Sequence, residues 1–224
     1  MQNGSSVSSG AEPLRADCVF CQRTAIAPNI LKETQNFRLV ADHAPLVEGH
    51  ILIIPKLHYA CYGAVPPELD TELFALKREV LHFFQQDYLP PVFWEHGVFH
   101  QSVFHAHLHC FPFGSLNQKQ HELCEKLAAE TVQTQLDIRA WYASNGQYFY
   151  LEPDIAFLFA PKTDDYARIA QGIFWSKVST LSNQKMWHST QQRQKEGHAR
   201  IEATFAKWRM FEQQGATYAN ETSA

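Results

Sequence analysis

The sequence contains no run of about 18 uninterrupted apolar residues, so nothing in it predicts a transmembrane helix. Its N-terminal stretch, Met-Gln-Asn-Gly-Ser-Ser-Val-Ser-Ser-Gly, lacks the basic and apolar blocks of a signal peptide. Cysteine is scarce and odd in number, at 5 residues, which does not suit a disulfide framework. These absences predict a protein of the reducing cytoplasm.

Basic charge is also in short supply. Lys and Arg number 19 against 23 Asp and Glu, which gives a formal net charge of −4 and a pI near 6.3. No long basic run appears, so we expect no nucleic acid polymer as a partner, and no membrane. A nucleotide remains compatible with this charge because a few local groups suffice to bind it. The 224 residues are enough to bury one full core.

Histidine is the residue type that stands out. His105, His107 and His109 alternate with apolar residues inside a segment that we predict to be a strand, from Ser102 to Phe111. Successive side chains of a strand point to opposite faces, so this spacing puts three imidazoles on one face. Such a surface suits chemistry on phosphate better than it suits stability.

A second motif lies upstream, where Cys18 and Cys21 form a Cys-x2-Cys pair. This spacing is typical of zinc sites, although a redox pair or two unrelated thiols would also fit. Residues four apart on a strand lie about 13 Å apart at Cα. His105 and His109 therefore cannot easily share one ion, but one histidine at the strand end could join the cysteines.

Hydrophobic periodicity predicts the other elements. The apolar Ile51–Ile54 segment predicts a strand buried on both faces, and Asp42–Gly49 before it predicts a loop. The other predicted strands are 37–40, 92–98, 148–151 and 155–159, the last two forming a hairpin around Glu152-Pro153-Asp154. The predicted helices are 68–86, 116–131, 164–180 and 189–211.

These motifs, taken in order, resemble the histidine-triad (HIT) family. The resemblance rests on the His105-x-His107-x-His109 run and on the Gln101-Ser102-Val103 approach to it. It extends upstream to the loop from Asp42 to His50 and to the corner that ends in His58. It implies an α+β, HIT-like fold with a central antiparallel sheet and flanking helices. The part of the chain beyond the resemblance would be a C-terminal α/β extension.

The resemblance, together with the polar composition of the two ends of the sequence, predicts a division of the chain into four parts. We expect a disordered tail at 1–12, a HIT-like catalytic domain at 13–135, a C-terminal extension at 136–213 that packs on the core, and a disordered tail at 214–224. A homodimer is compatible with this organisation.

The resemblance also implies roles for site residues. His107 matches the nucleophile, and His109 matches the partner that contacts the phosphate and the leaving group. A set of supporting residues accompanies them: Ser102 and Gln101 at the phosphate, His50 behind the nucleophile, Asp42 at the ribose, and Val19, Phe20 and Val40 around the base. The implied structural zinc ligands are Cys18, Cys21, His58 and His105.

Two departures from the family pattern affect the expected chemistry. His100 stands where the family usually has a glycine before Gln-Ser, and glycine permits close backbone approach that histidine does not. The third triad position is His109 rather than a glutamine. Within the family, glutamine there accompanies nucleotidyl transfer, so histidine favours hydrolysis.

The leading hypothesis is a nucleotide hydrolase that cleaves at the α-phosphorus. Its substrate would be a nucleoside phosphate, a phosphoramidate or a dinucleoside polyphosphate, and a nucleotidyl-histidine would form on His107. The alternative is a non-catalytic nucleotide sensor or adaptor that uses the C-terminal third to bind a partner. A third hypothesis is zinc-dependent hydrolysis with His107 and His109 as ligands.

Overall fold

The computed structural model describes residues 14–182 and 189–221. Its strands are β1 (Ile30–Glu33), β2 (Phe37–Ala41), β3 (Ile51–Pro55), β4 (Val92–Glu95), β5 (Leu108–Phe111), β6 (Glu130–Val132), β7 (Phe149–Glu152) and β8 (Ala156–Phe159). Within the described ranges they form one antiparallel sheet, in the order β1-β2-β3-β5-β4-β7-β8-β6.

Seven α-helices surround the sheet in the described parts of the chain. They are α1 (Arg23–Ile26), α2 (Asp70–Asp87), α3 (Gln118–Leu127), α4 (Gln135–Asn145), α5 (Thr163–Ile169), α6 (Ser176–Ser182) and α7 (Thr190–Glu221), with a π-helix (Ala170–Trp175) between α5 and α6. None of these helices is both long enough and apolar enough to cross a membrane. The predicted α+β class, with a central antiparallel sheet, flanking helices and a C-terminal extension, is confirmed.

Both faces of the sheet are covered. On one face, Phe37 and Ile53 pack with Phe83 of α2 and Trp208 of α7. On the other face, a second cluster joins aromatic residues of the strands to the π-helix: Trp94, Phe111, Phe149, Phe159, Ile173 and Phe174. Every residue of β3 is buried, as its uninterrupted apolar sequence predicts.

The sheet does not end where the HIT-like motifs end. β7 pairs with β4, and β8 and β6 continue beyond it, so three strands from the C-terminal half extend the sheet. The predicted hairpin is present as β7 and β8. The division into domains stays a prediction. Residues 1–12 lie outside the described residues, and α7 continues to Glu221, into the segment for which a disordered tail was predicted.

Two predicted strands are shorter than expected. The strand predicted at 92–98 ends at Glu95, because Gly97 and Val98 adopt positive φ angles of 54° and 76°. The strand predicted at 102–111 begins only at Leu108. Before it, the carbonyl of His105 accepts a hydrogen bond from the side chain of Gln101, at 2.9 Å, instead of joining a strand ladder.

The sequence-based prediction missed some elements and placed the end of one helix too far along the chain. The helix predicted at 116–131 is α3, which ends at Leu127 and is followed by β6. β1 and α4 were not predicted, although α4 begins with a capping box between Thr134 and Asp137 and ends at Gly146 in the left-handed conformation.

The last helix, α7, is fixed to the loop that precedes β3. The hydroxyl of Thr204 accepts a hydrogen bond from the backbone N–H of Gly49 at 2.9 Å, and Arg200 donates to the carbonyl of Pro45 at 3.1 Å. Gly197 lets the helix and the loop approach closely, since a Cβ atom at this position would lie 2.5 Å from Cδ of Pro45. The glycine that weakens the helix in isolation is thus required for its packing.

We predict opposite effects for two glycine substitutions in α7. Gly197→Ala should lower the free energy of unfolding by about 1–3 kcal/mol, because the new methyl group clashes with Pro45. Gly215→Ala, where a Cβ meets nothing within 4 Å, should raise it by about 0.5–1 kcal/mol through helix propensity. Urea unfolding of both variants measures the difference. Equal shifts would contradict the close packing of α7 on the loop.

Candidate active site

The loop between β2 and β3 brings Asp42 and His50 to the cavity. Asp42 is buried, and its Oδ1 accepts a hydrogen bond from the backbone N–H of Ala44 at 2.7 Å, which shapes the start of the loop. Its Oδ2 lies 3.7 Å from Nε2 of His50. Gly49 adopts a φ of +78°, and a Cβ there would lie 3.0 Å from the ring of Tyr88.

The three triad histidines separate into two groups. His109 lies on β5, whereas His105 lies in a bend and His107 in the short irregular stretch between that bend and β5. His105 turns toward Cys18 and Cys21, while His107 and His109 line a common cavity with their ring centroids 5.0 Å apart. The alternation that the sequence suggested therefore holds for His107 and His109, but His105 serves a different site.

The hydrogen bonds of His107 assign its tautomer. Its Nδ1 lies 2.6 Å from the backbone carbonyl of His105, which can only accept, so Nδ1 carries the proton. The Nε2 atom therefore keeps its lone pair. Gln101 donates to the same carbonyl, and its Oε1 has no partner among the described residues. Gln101 thus fixes the backbone beneath His107 and does not line the cavity.

The tautomer of His109 is the reverse. The backbone N–H of Leu46 donates to Nδ1 of His50 at 3.4 Å, so neutral His50 carries its proton on Nε2. That proton is donated to Nδ1 of His109 at 3.0 Å, which leaves an N–H on Nε2 of His109. His50, expected behind the nucleophile, contacts His109 instead.

Burial keeps these rings neutral. It lowers the pKa of His50 and the pKa of His96 to about 4. Burial and the adjacent histidines hold the pKa of His109 well below its usual value. Burial also lowers the pKa of His107, opposed by its hydrogen bond to the His105 carbonyl and by the charge of Asp42.

The cavity has a volume of about 520 Å³. One wall comes from strands and loops before residue 115 and includes Asp42, His50, Trp94, His96, Ser102, His107, His109 and Phe111. A second wall comes from α5, the π-helix and α7 and includes Tyr166, Gln171, Phe174 and Arg193, and it meets the first where the ring centroids of Phe174 and Trp94 lie 4.3 Å apart. The cavity therefore joins neutral imidazoles, aromatic rings and one guanidinium.

A second site lies behind the cavity. Cys18, Cys21, His58 and His105 are all buried, and their ligand atoms lie within 4.8 Å of one another. The S-to-N distances given by the structure are 3.3–3.5 Å, close to the roughly 3.6 Å edge of a tetrahedral Zn site with two sulfur and two nitrogen ligands. Nε2 of His105 donates to the carbonyl of Pro55 at 2.9 Å, leaving Nδ1 to face the thiols. This group of four side chains could hold a metal ion.

Comparison with known proteins identifies the family of this chain. The model of the HIT domain matches residues 23–115. An uncharacterized HIT-like protein of Mycobacterium tuberculosis, MT1300, is 30% identical over 101 residues, which cover 42% of this chain and 70% of that protein. The chain belongs to the HIT family.

Two further proteins are similar to this HIT protein. Adenosine 5′-monophosphoramidase HNT1 of Saccharomyces cerevisiae is 32% identical over 101 residues, and the match covers 44% of this chain but only 64% of the yeast protein. Among solved structures, a zinc-bound histidine triad family protein from Mycobacterium smegmatis is 26% identical, with a TM-score of 0.39. That alignment covers 57% of this chain and 94% of that one.

The structure also shows how this HIT chain accommodates its unusual His100. The residue adopts a φ of +56°, the left-handed conformation that glycine would adopt freely, at a cost of roughly 1–2 kcal/mol for another residue. Its ring packs 4.2 Å from that of Phe99 and 5.0 Å from that of Tyr166. The loop thus keeps a backbone shape suited to glycine, and the histidine ring packs against the extension.

The three residues expected around a base do not line the main cavity. Phe20 and Val40 are buried near the cysteine pair, with the ring of Phe20 5.3 Å from that of His107. Val19 borders a smaller pocket that it shares with Ser102. Sequence reasoning missed other residues that line the cavity: Trp94 and Phe111 on the wall that carries the histidines, and Tyr166, Gln171, Phe174 and Arg193 on the second wall. These residues belong to no motif with a recognisable spacing, so nothing in the sequence signalled this role.

Proposed function

We propose that this chain is a nucleotide hydrolase that cleaves at the α-phosphorus of a nucleoside phosphate, phosphoramidate or dinucleoside polyphosphate. The observation that carries the proposal is the opposite tautomers of two adjacent rings. His107 offers a lone pair on Nε2, and His109 offers an N–H on Nε2, in the same buried cavity. A nucleophile beside a hydrogen-bond donor is what substitution at a phosphate requires.

In the first step, Nε2 of His107 attacks the α-phosphorus, and the bond from phosphorus to the leaving group breaks. The product is a nucleotidyl-histidine whose Nδ1–H remains donated to the carbonyl of His105, which stabilises the positive charge on the ring. His109 and Ser102 donate to the phosphoryl oxygens or to the departing atom. Gln101 acts as a positioning residue by holding the same carbonyl.

In the second step, water attacks the phosphorus of the intermediate and gives a proton to Nε2 of His109, which replaces the proton that His109 gave to the leaving group. The bond to His107 breaks, the nucleoside monophosphate leaves, and the imidazole returns to its starting state. Neutral imidazole is already a nucleophile, so the resting enzyme needs no additional base. The yeast relative is named as an adenosine 5′-monophosphoramidase, so an adenylyl phosphoramidate is the first substrate to test.

The first prediction concerns the nucleophile. His107→Gln should reduce turnover of adenosine 5′-phosphoramidate by several orders of magnitude, because the attacking lone pair is lost. Added imidazole should restore part of the rate to His107→Gly. Initial-rate assays measure both effects, and His82→Gln, on the exposed surface of α2, serves as the matched control. Wild-type turnover in His107→Gln would contradict the covalent mechanism. Intact nucleotide binding without turnover by the unaltered protein would instead favour the sensor or adaptor function.

The second prediction concerns Asp42 and the ribose. Loss of hydrogen bonds to a charged acceptor costs about 1.5–3 kcal/mol, so Asp42→Asn should raise KM for a ribonucleotide roughly tenfold or more. Asparagine keeps an oxygen that can accept from the N–H of Ala44, so the loop is less disturbed than in Asp42→Ala. For a 2′,3′-dideoxy substrate, which has no ribose hydroxyls to donate, KM should rise much less. Equal losses for the two substrates would show that Asp42 serves the loop and not the ribose.

We also propose that Cys18, Cys21, His58 and His105 hold a structural zinc ion. Two sulfur and two nitrogen ligands at tetrahedral spacing support this, and four protein ligands leave no open position for catalysis. When bound, the metal would fix the N-terminal segment and the backbone before His107. The rival metal-dependent hydrolysis needs a second ion at the triad. His107 and His109 were the ligands expected for that ion. The group of described side chains close enough together there is Asp42, His50 and His109. This group includes His109 but not His107.

The third prediction is that purified protein contains about one zinc ion per chain. Cys18→Ser should remove it and lower the melting temperature, because binding of structural zinc is coupled to folding. Elemental analysis and thermal unfolding measure the two effects. Cys124→Ser, at a buried thiol outside the group, should leave the metal content unchanged. Protein purified without chelators that contains no zinc would exclude this site, and two ions per chain would support the metal-dependent alternative.

A further inference from the structure

The C-terminal extension contributes directly to the cavity. Tyr166 of α5, Gln171 and Phe174 of the π-helix, and Arg193 of α7 line it, and none of them lies in the 23–115 segment that matches the HIT domain. A π-helix is rare and is often found at functional sites. The second wall of the cavity is therefore specific to the part of the chain that the HIT domain match does not cover.

Arg193 is the feature of that wall with the clearest chemistry. Its Nε donates to the carbonyl of Ala44 at 3.1 Å, and its Nη2 lies 3.4 Å from the hydroxyl of Thr190. The guanidinium is thus held beside the loop that carries Asp42. Burial lowers its pKa, and the charge of Asp42 opposes this, but an arginine stays protonated at neutral pH.

The balance of charge in the cavity depends on this residue. Among the described residues that line it, Asp42 and Arg193 are the only Asp, Glu, Lys or Arg side chains. Burial keeps His50, His96 and His109 neutral. Without Arg193, the described residues that line the cavity would offer an anionic substrate the carboxylate of Asp42 and no lysine or arginine.

We infer that Arg193 is a specificity-determining residue that recognises phosphate charge on the leaving group. The extension would thereby favour substrates whose leaving group is itself a phosphate or polyphosphate over those that release a neutral amine. This inference rests on the proposed function, since it assumes that a nucleotide occupies the cavity. A guanidinium suits the task because its planar array of donors matches phosphate oxygens.

Binding can be measured separately from turnover. AMP and the α,β-methylene analogues of ADP and ATP differ in phosphate charge, and the methylene bridge prevents cleavage at the α-phosphorus. By titration calorimetry, affinity for the unaltered protein should rise along the series. Arg193→Gln should weaken binding of the ATP analogue roughly tenfold but that of AMP less than about threefold. The difference between the losses of affinity for the ATP analogue and for AMP should become smaller at high ionic strength.

Two further variants separate charge from structure. Arg193→Lys keeps the charge and should retain most of the rise in affinity along the series. Lys195→Gln removes an exposed charge from the same helix, at a residue that does not line the cavity, and should change nothing. Thermal unfolding of each variant verifies that α7 remains docked.

The possible failures are distinguishable. An equal loss for AMP and for the ATP analogue in Arg193→Gln, or no loss for either, would overturn the inference and leave Arg193 as a support for the loop at Ala44. Turnover of adenosine 5′-phosphoramidate by the unaltered protein would still uphold the proposed function in that case. If affinity rises with phosphate charge from AMP to the ATP analogue but the protein turns over no nucleotide, the role of Arg193 in binding is upheld and the hydrolase is rejected.

Discussion

The hydrogen bond between Nδ1 of His107 and the carbonyl of His105 is the contact on which both sites depend. It fixes the tautomer of His107 and thereby leaves Nε2 with a lone pair facing the cavity. The same short segment directs the ring of His105 to the cysteine pair on the other side. A metal ion bound there would hold the backbone that presents the proposed nucleophile, so the two sites are mechanically linked without sharing a ligand.

A second chain of contacts prepares the other ring. The backbone N–H of Leu46 orients His50, and His50 orients His109. The loop before β3 therefore determines that His109 carries its proton on Nε2. α7 packs on this loop through Thr204 and Gly197. The C-terminal helix therefore supports the cavity in two ways, by holding the loop and by supplying Arg193.

The sequence could predict those features that depend on local spacing. Alternating histidines predicted a face of imidazoles, the Cys-x2-Cys pair predicted a possible zinc site, and the apolar segment predicted the buried strand β3. The assignment of His58 and His105 as ligands, and the central antiparallel sheet, came from the resemblance to the HIT family. The late start of β5, at Leu108, could not be predicted from the sequence. Its cause is a tertiary contact, because the side chain of Gln101 donates to the carbonyl of His105, where a neighbouring strand would otherwise donate. Arg193 could not be predicted either, since tertiary packing alone brings it to Ala44, 149 positions away. The capping box that begins α4 was a local signal that could have been used.

The central claim, that His107 forms a covalent intermediate, is tested most directly by the stereochemistry at phosphorus. A nucleoside α-phosphorothioate of known configuration is hydrolysed in ¹⁸O-labelled water, and the configuration of the product is determined by ³¹P NMR. Each in-line displacement inverts the phosphorus, so attack by His107 followed by attack of water predicts net retention. Net inversion would mean that water attacks directly and would contradict a nucleotidyl-histidine.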